Sequence, residues 1–139
     1  GISRVRVEGG EPQSLMTEFT AFFYAIQDDQ IYCLIDAIES TDVLRMNLDG
    51  TDAETVYSSD GKIEALNVSG NRLFIATPAQ GGERASILVW NMETNTIEQT
   101  IDDLAAPVVS CFGSDIYYFT DASIIRLNLD SGEQIMMFN

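Results

Sequence analysis

Residues 44–50 read Leu44-Arg45-Met46-Asn47-Leu48-Asp49-Gly50, and this stretch decides the fold because the chain repeats it in outline. Aligned on Val7, Leu48, Met92 and Leu129, successive copies lie 41, 44 and 37 residues apart. That period is typical of propeller blades rather than of helical solenoids. The other copies read Ser3-Arg4-Val5-Arg6-Val7-Glu8-Gly9, Leu88-Val89-Trp90-Asn91-Met92-Glu93-Thr94 and Ile125-Arg126-Leu127-Asn128-Leu129-Asp130-Ser131.

The last repeat shows the plan of one blade most plainly. Turn formers stand at Gly113-Ser114-Asp115 and at Asp130-Ser131-Gly132, and the runs around them are rich in β-branched and aromatic residues. This pattern predicts a four-stranded antiparallel meander, and no segment has a sustained helical period. The predicted fold class is therefore all-β, with blades of the propeller type. The predicted strands of this repeat are 108–112, 116–120, 124–129 and 134–138.

The repeats predict how the chain is divided. About three and a half meanders form one propeller-like repeat domain over residues 1–139. Closed propellers have roughly four to eight blades, because closure removes exposed sheet edges. The chain is therefore expected to be a fragment of a longer propeller, or to be completed by a homo-oligomer. The predicted boundaries are a half blade at 1–19 and full blades at 20–59, 60–103 and 104–139.

The same alignment predicts which apolar residues are buried and which are exposed. Residues that hold the same place relative to the turns should be equivalent inner positions. Those on first strands are Ile26, Val68 and Cys111, and those on second strands are Cys33, Ile75 and Tyr118. Apolar residues at the two ends of the blade series should instead be open for association. These are Val5 and Val7 in the half blade, and Ile125, Leu127 and Leu129 in the last blade.

The composition excludes several classes of function. Lys and Arg total 7 against 22 Asp and Glu, so the net charge of −15 repels nucleic acid and anionic membranes. The chain has no histidine, which removes triads of the Ser-His-Asp type and most zinc sites. No apolar stretch approaches the roughly 18 residues of a membrane span, so no membrane insertion is expected. Cys33 and Cys111 lack a Cys-x-x-Cys partner and are expected to be free, buried thiols.

Two segments carry a resemblance to known repeats. Ile116-Tyr117-Tyr118-Phe119-Thr120-Asp121, followed by Ile124-Ile125-Arg126-Leu127-Asn128-Leu129-Asp130-Ser131-Gly132, resembles a YWTD blade of the low-density lipoprotein receptor type. Met46-Asn47-Leu48-Asp49-Gly50-Thr51 is also similar to TolB-type repeats and to bacterial uncharacterised propeller domains. The chain departs from the YWTD pattern at Phe119, which stands in place of the tryptophan. The resemblance implies a secreted, periplasmic or cell-surface protein that is used for binding.

Candidate binding residues lie in the loops that follow second and fourth strands. In propellers these loops form the face that ligands usually meet. Clustered carboxylates on such a face can bind calcium or act as an acid and base pair on glycans. The chain has no EF-hand motif, and no cofactor is predicted. The candidate residues are Asp36, Glu39, Asp42, Asp60, Glu83, Arg84 and Asp121.

Two functions from different classes are compatible with these residues. The first is a non-enzymatic binding or protein-interaction module with a protein or glycan ligand. The second is a hydrolase or lyase that uses the loop carboxylates on glycans. The repeat architecture and the lack of histidine favour the first function.

Overall fold

The computed structural model describes residues 2–16, 21–36, 40–79 and 84–138. In these ranges every regular element is a β-strand, which confirms the predicted all-β class. No helix that could cross a membrane is found there. The chain divides into two compact units, residues 1–60 and residues 61–139.

The first unit contains one two-stranded and one four-stranded sheet. All neighbouring strands are antiparallel, and the larger sheet has the simple order β3-β4-β5-β6 of a meander. The strands of the smaller sheet are β1 (Ile2–Arg4) and β2 (Gln13–Met16). Those of the larger sheet are β3 (Ala21–Gln27), β4 (Gln30–Asp36), β5 (Thr41–Asn47) and β6 (Glu54–Ser59).

The second unit contains two four-stranded antiparallel meanders. The strands of the first meander are β7 (Ala65–Ser69), β8 (Arg72–Thr77), β9 (Ala85–Asn91) and β10 (Thr96–Leu104). Those of the second are β11 (Val109–Phe112), β12 (Asp115–Phe119), β13 (Ile124–Asn128) and β14 (Gln134–Phe138). Together with the first unit, the described residues form three four-stranded meanders and one two-stranded sheet, as predicted. The predicted single domain over 1–139 and its blade boundaries stay predictions.

The repeated asparagine holds the turn between the third and fourth strands. In the last blade the Asn128 side-chain oxygen accepts hydrogen bonds from the backbone N–H groups of Asp130 and Ser131 at 3.2 and 2.9 Å. Asn91 accepts equivalent bonds from Glu93 and Thr94. Such local side-chain bonds stabilise turns at little cost in chain entropy. The asparagine of the repeat is therefore a structural residue.

A close backbone approach joins the two sheets of the first unit. Gly50 has φ +86, and a Cβ added to it would lie 2.7 Å from the carbonyl oxygen of Leu15 on β2. Only glycine fits here, because the left-handed backbone and the contact each disfavour a side chain. Beside this contact, Ile31, Cys33 and Met46 pack against residues of the smaller sheet.

The second unit has a core between its two meanders. Phe74 and Ile87 from the first meander pack with Ile116, Ile125 and Leu127 from the second. Along β13, Arg126 and Asn128 alternate with the buried Ile125 and Leu127 and point to the other face. This alternation is the period of a half-buried strand.

Two predictions about exposure are wrong. Ile26 holds the same hairpin register as Val68, since each is the penultimate paired residue of its first strand, but it is 59% exposed. Ile125 and Leu127 were expected at an open end and are buried, because their face of the blade meets the neighbouring meander. The apolar residues exposed on the last blade are instead Phe112, Phe119, Ile135, Met136, Met137 and Phe138.

Candidate functional site

Arg84 and Asp121 form a two-point ion pair at the loop end of the second unit. Arg84 lies just before β9 and Asp121 just after β12, 37 residues apart in sequence. Arg84 Nη1 donates to Asp121 Oδ2 at 2.5 Å, and Nη2 donates to Oδ1 at 2.6 Å. Paired hydrogen bonds of this kind orient both groups. The sequence predicted both residues on a ligand-binding face, and the structure brings the two side chains together.

The ion pair sets the charge state of both groups. Hydrogen bonds from Arg84 lower the pKa of Asp121, and the bond to Asp121 raises the pKa of Arg84. The Asp121 carboxylate is largely exposed. Asp121 is therefore held in its ionised form, which is the opposite of what a general acid requires.

A small cavity lies beside Arg84. Its volume is about 260 Å³, and prolines and alanines form much of its wall. Two backbone hydrogen bonds involve its lining residues: Ala105 N donates to Phe119 O, and Glu64 N donates to Ala76 O. We call this the loop cavity. It is lined by Glu64, Pro78, Ala79, Arg84, Ala85, Leu104, Ala105 and Pro107.

The remaining candidate residues fall into two groups. Asp36 ends β4, Asp42 lies on β5 and Asp60 follows β6, so all three belong to one end of the larger sheet in the first unit. The Ser40 hydroxyl donates to Asp42 Oδ1 at 2.9 Å. Glu39 and Glu83 lie outside the described residues. Within the described ranges, no three Asp, Glu, Cys or His side chains converge as a metal ion would require.

Sequence reasoning missed a polar network at the other end of the second unit. Arg72 Nε donates to Glu98 Oε2 at 2.7 Å, and its Nη1 donates to Asp130 Oδ1 at 3.1 Å. Asn91 binds the second oxygen of Glu98, and the Ser114 hydroxyl binds the second oxygen of Asp130. These bonds lower the pKa of both acids. The only sequence signal was that Arg72, a cation, directly follows a turn. Its acidic partners Glu98 and Asp130 are 26 and 58 residues away in sequence.

Both cysteines carry free thiols. Burial raises the pKa of each to about 11, and Cys111 Sγ donates to the carbonyl oxygen of Val68 at 3.4 Å. A thiol with so high a pKa contains little thiolate at neutral pH and is a poor nucleophile. The two residues therefore behave as small apolar side chains.

Comparison with known proteins gives structural matches alone. No family model and no curated protein matches this chain. In a crystal structure of a nidogen/laminin complex, the propeller matches with a TM-score of 0.70 and 12% identity, over 99% of this chain and 54% of that one. These sheets are propeller blades. The likeness also supports the YWTD resemblance, whereas bacterial origin and TolB-type repeats stay predictions.

Two further structures have the same fold. An uncharacterized protein from Listeria monocytogenes EGD-e matches with a TM-score of 0.62 and 10% identity, over 86% of this chain and 40% of that one. The computationally designed Ika4 protein matches with a TM-score of 0.53 and 14% identity, over 88% of this chain and 77% of that one. The present chain thus spans 54% of the nidogen chain and 40% of the Listeria chain.

Proposed function

We propose that these blades form a non-enzymatic module that binds another protein at the loop cavity. The observation that carries this proposal is the ion pair of Arg84 and Asp121 at the edge of a preformed cavity walled by proline and alanine. The apolar recess suits one anchoring side chain of a partner, and the ion pair beside it suits the polar groups next to that side chain.

The size of the recess supports a protein partner. Its volume of about 260 Å³ lies below the range of roughly 300–1,000 Å³ that is usual for small-molecule pockets. One side chain of a protein fits such a space. The net charge of −15 makes nucleic acid an unfavourable partner. The nidogen propeller, which has the same fold, belongs to a structure of a complex between two proteins.

The proposal places the module outside the cytoplasm, on the basis of its resemblance to YWTD repeats. Detection of the full-length protein in secreted, periplasmic or surface fractions of its source cell tests this part. Recovery from the cytoplasm alone would contradict it.

Peptide selection followed by cavity filling tests the binding site. Peptides are selected from a random displayed library on the full chain, and each is then measured against Ala79→Trp. Ala79 is exposed and lines the cavity, so the indole should fill the recess without disturbing the core. Selected peptides should bind this variant at least tenfold more weakly. Ala53→Trp, at an exposed position of the first unit, is the matched control and should bind normally.

Two results would contradict the proposal. The first is equal peptide affinity for the chain and for Ala79→Trp. The second is turnover of a glycan panel by the chain that is lost in Asp121→Asn or Asp36→Asn, because that result assigns the loop carboxylates to catalysis.

A further inference from the structure

The loop cavity has one acidic and one basic residue in its described wall. Glu64 and Arg84 supply these charges, and the other lining residues are prolines, alanines and one leucine. The two charged side chains differ in how firmly other groups of this chain already hold them. That difference determines which charge of a partner the cavity can accept.

Arg84 is held firmly by groups of this chain. Its Nη1 and Nη2 atoms donate to the two oxygens of Asp121, and its Nε lies 3.5 Å from the carbonyl oxygen of Leu104. The hydrogen bonds to Asp121 raise the pKa of Arg84, and the negative charge of Asp103 raises it further. An acidic side chain of a partner would have to displace Asp121 from Arg84. It would also be repelled by both carboxylates.

Glu64 is held more loosely, by an ion pair with Lys62. Lys62 Nζ donates to Glu64 Oε1 at 3.0 Å, and the Lys62 side chain is 65% exposed. Water and salt screen such an exposed pair, so it contributes little to stability. Lys62 does not belong to the described lining of the cavity, whereas Glu64 does. A second cation inside the cavity can therefore join Lys62 at Glu64 or replace it.

The apolar part of the wall suits the stem of a lysine side chain. Lysine buries its methylene groups along apolar surface and keeps its ammonium group at a polar or charged partner. Pro78, Ala79 and Pro107 offer the apolar surface, and Glu64 in the same wall offers the carboxylate. The volume of about 260 Å³ accommodates one such side chain.

The charge of the chain favours the same kind of partner. The net charge of −15 attracts basic segments and speeds their association at low salt. An apolar anchor would gain nothing from this charge. It would also cover the Glu64 carboxylate, whose side chain is 34% exposed, without supplying a cation in exchange for the lost hydration.

We infer that the loop cavity binds a lysine side chain of the partner protein, with its methylene stem against the prolines and alanines and its ammonium group on Glu64. This inference rests on the proposed function, because it names the chemistry of the anchoring residue at the same site. Lys62 holds the Glu64 carboxylate when no partner is bound.

Peptides selected on the full chain from a random displayed library are the probes. Those that lose binding to Ala79→Trp are the cavity binders. Each should contain a lysine whose replacement by norleucine weakens binding at least fivefold at low salt. Norleucine keeps the unbranched apolar stem and removes the charge, so the loss should shrink as salt is added.

Glu64→Gln tests the carboxylate that receives the lysine. This variant should remove the difference in affinity between the lysine and norleucine forms of a peptide. Glu8→Gln, at an exposed position of the first unit, removes the same charge and is the matched control. It should leave the difference in place. Thermal unfolding of both variants verifies the fold.

Lys62→Gln should act in the opposite direction. It removes the ion-pair partner of Glu64, so the lysine form should bind at least twofold more tightly and the norleucine form should not. Arg6→Gln, at an exposed position of the first unit, removes the same charge and keeps the pair of Lys62 with Glu64. This control should leave both affinities unchanged.

The outcomes separate this inference from the proposed function. Cavity binders with an apolar or acidic anchor, which bind Glu64→Gln as tightly as the unchanged chain, would overturn the inference alone. A lysine requirement that survives Glu64→Gln would also overturn it, because the ammonium group would then lie elsewhere. If every selected peptide binds Ala79→Trp as tightly as the unchanged chain, both proposals are wrong.

Discussion

Arg72 on β8 reaches Asp130, which follows β13, with its Nη1 atom 3.1 Å from Oδ1. The two residues are 58 positions apart and belong to different four-stranded sheets of the second unit. The same guanidinium also binds Glu98 in its own sheet. Arg72 is thus the residue through which a strand of one blade is tied to a turn of the next.

Loss of the Arg72 side chain should destabilise the second unit. Arg72→Gln leaves Glu98 and Asp130 without their shared cation, and we expect a loss of about 1 kcal/mol in the free energy of unfolding. Asp130→Asn should have a smaller effect, and the double variant should lose less than the sum because the two changes remove one interaction. Urea unfolding measures all three. Lys62→Gln is the control, because the pair of Lys62 with Glu64 is more exposed, and no measurable change is expected.

The contribution of this network should disappear in acid. Hydrogen bonds lower the pKa values of Glu98 and Asp130 in the folded chain. A lowered folded pKa adds stability above the unfolded value of about 4, and this stability is lost as the pH falls through the folded pKa. The difference in unfolding midpoint between the chain and Arg72→Gln should therefore shrink from pH 7 to pH 3. A difference between the two midpoints that widens in acid would contradict this prediction.

Gly50 should tolerate substitution less well than Gly132. Both have positive φ, so alanine at either position carries a backbone cost of about 1 kcal/mol. At Gly50 the new Cβ would also lie 2.7 Å from Leu15 O, whereas nothing lies within 4 Å at Gly132. We expect Gly50→Ala to cost at least about 2 kcal/mol in total. Equal losses in the two variants would show that the contact with Leu15 relaxes freely.

Ile75 and Ile26 both hold repeat positions that were predicted to be buried, but only Ile75 is buried. Ile75 is fully buried, and Ile75→Ala should cost about 2–4 kcal/mol in the free energy of unfolding. Ile26→Ala should stay within about 0.5 kcal/mol, because its side chain is mostly in water already. Denaturant titration of both variants checks the pair. A large loss at Ile26 would mean that its side chain is covered in solution.

The strands of the last blade follow from local sequence to within one residue. The predicted runs 108–112, 116–120, 124–129 and 134–138 compare with Val109–Phe112, Asp115–Phe119, Ile124–Asn128 and Gln134–Phe138. This agreement has a physical cause. Hairpin pairing, positive-φ glycine turns and the side-chain bonds of Asn128 all act over a few residues, so a short window of sequence contains the information.

The candidate site needed more than local sequence. The sequence placed Arg84 and Asp121 on a loop face because each follows or precedes a predicted strand, but it did not pair them. Arg72 was not selected at all, since its acidic partners come from other strands. Contacts between residues 26 to 58 positions apart depend on how strands and sheets are arranged. The alternation of apolar and polar residues along a single strand does not predict that arrangement.

By itself, then, the sequence determined the blade: its four strands, its turns and the acidity of its surface. Only the tertiary structure decided which face of each blade is covered. Ile26 and Val68 hold the same register position, yet one is exposed and the other is buried. The reason is that the burial of a side chain depends on what packs against its strand as well as on the strand's own sequence.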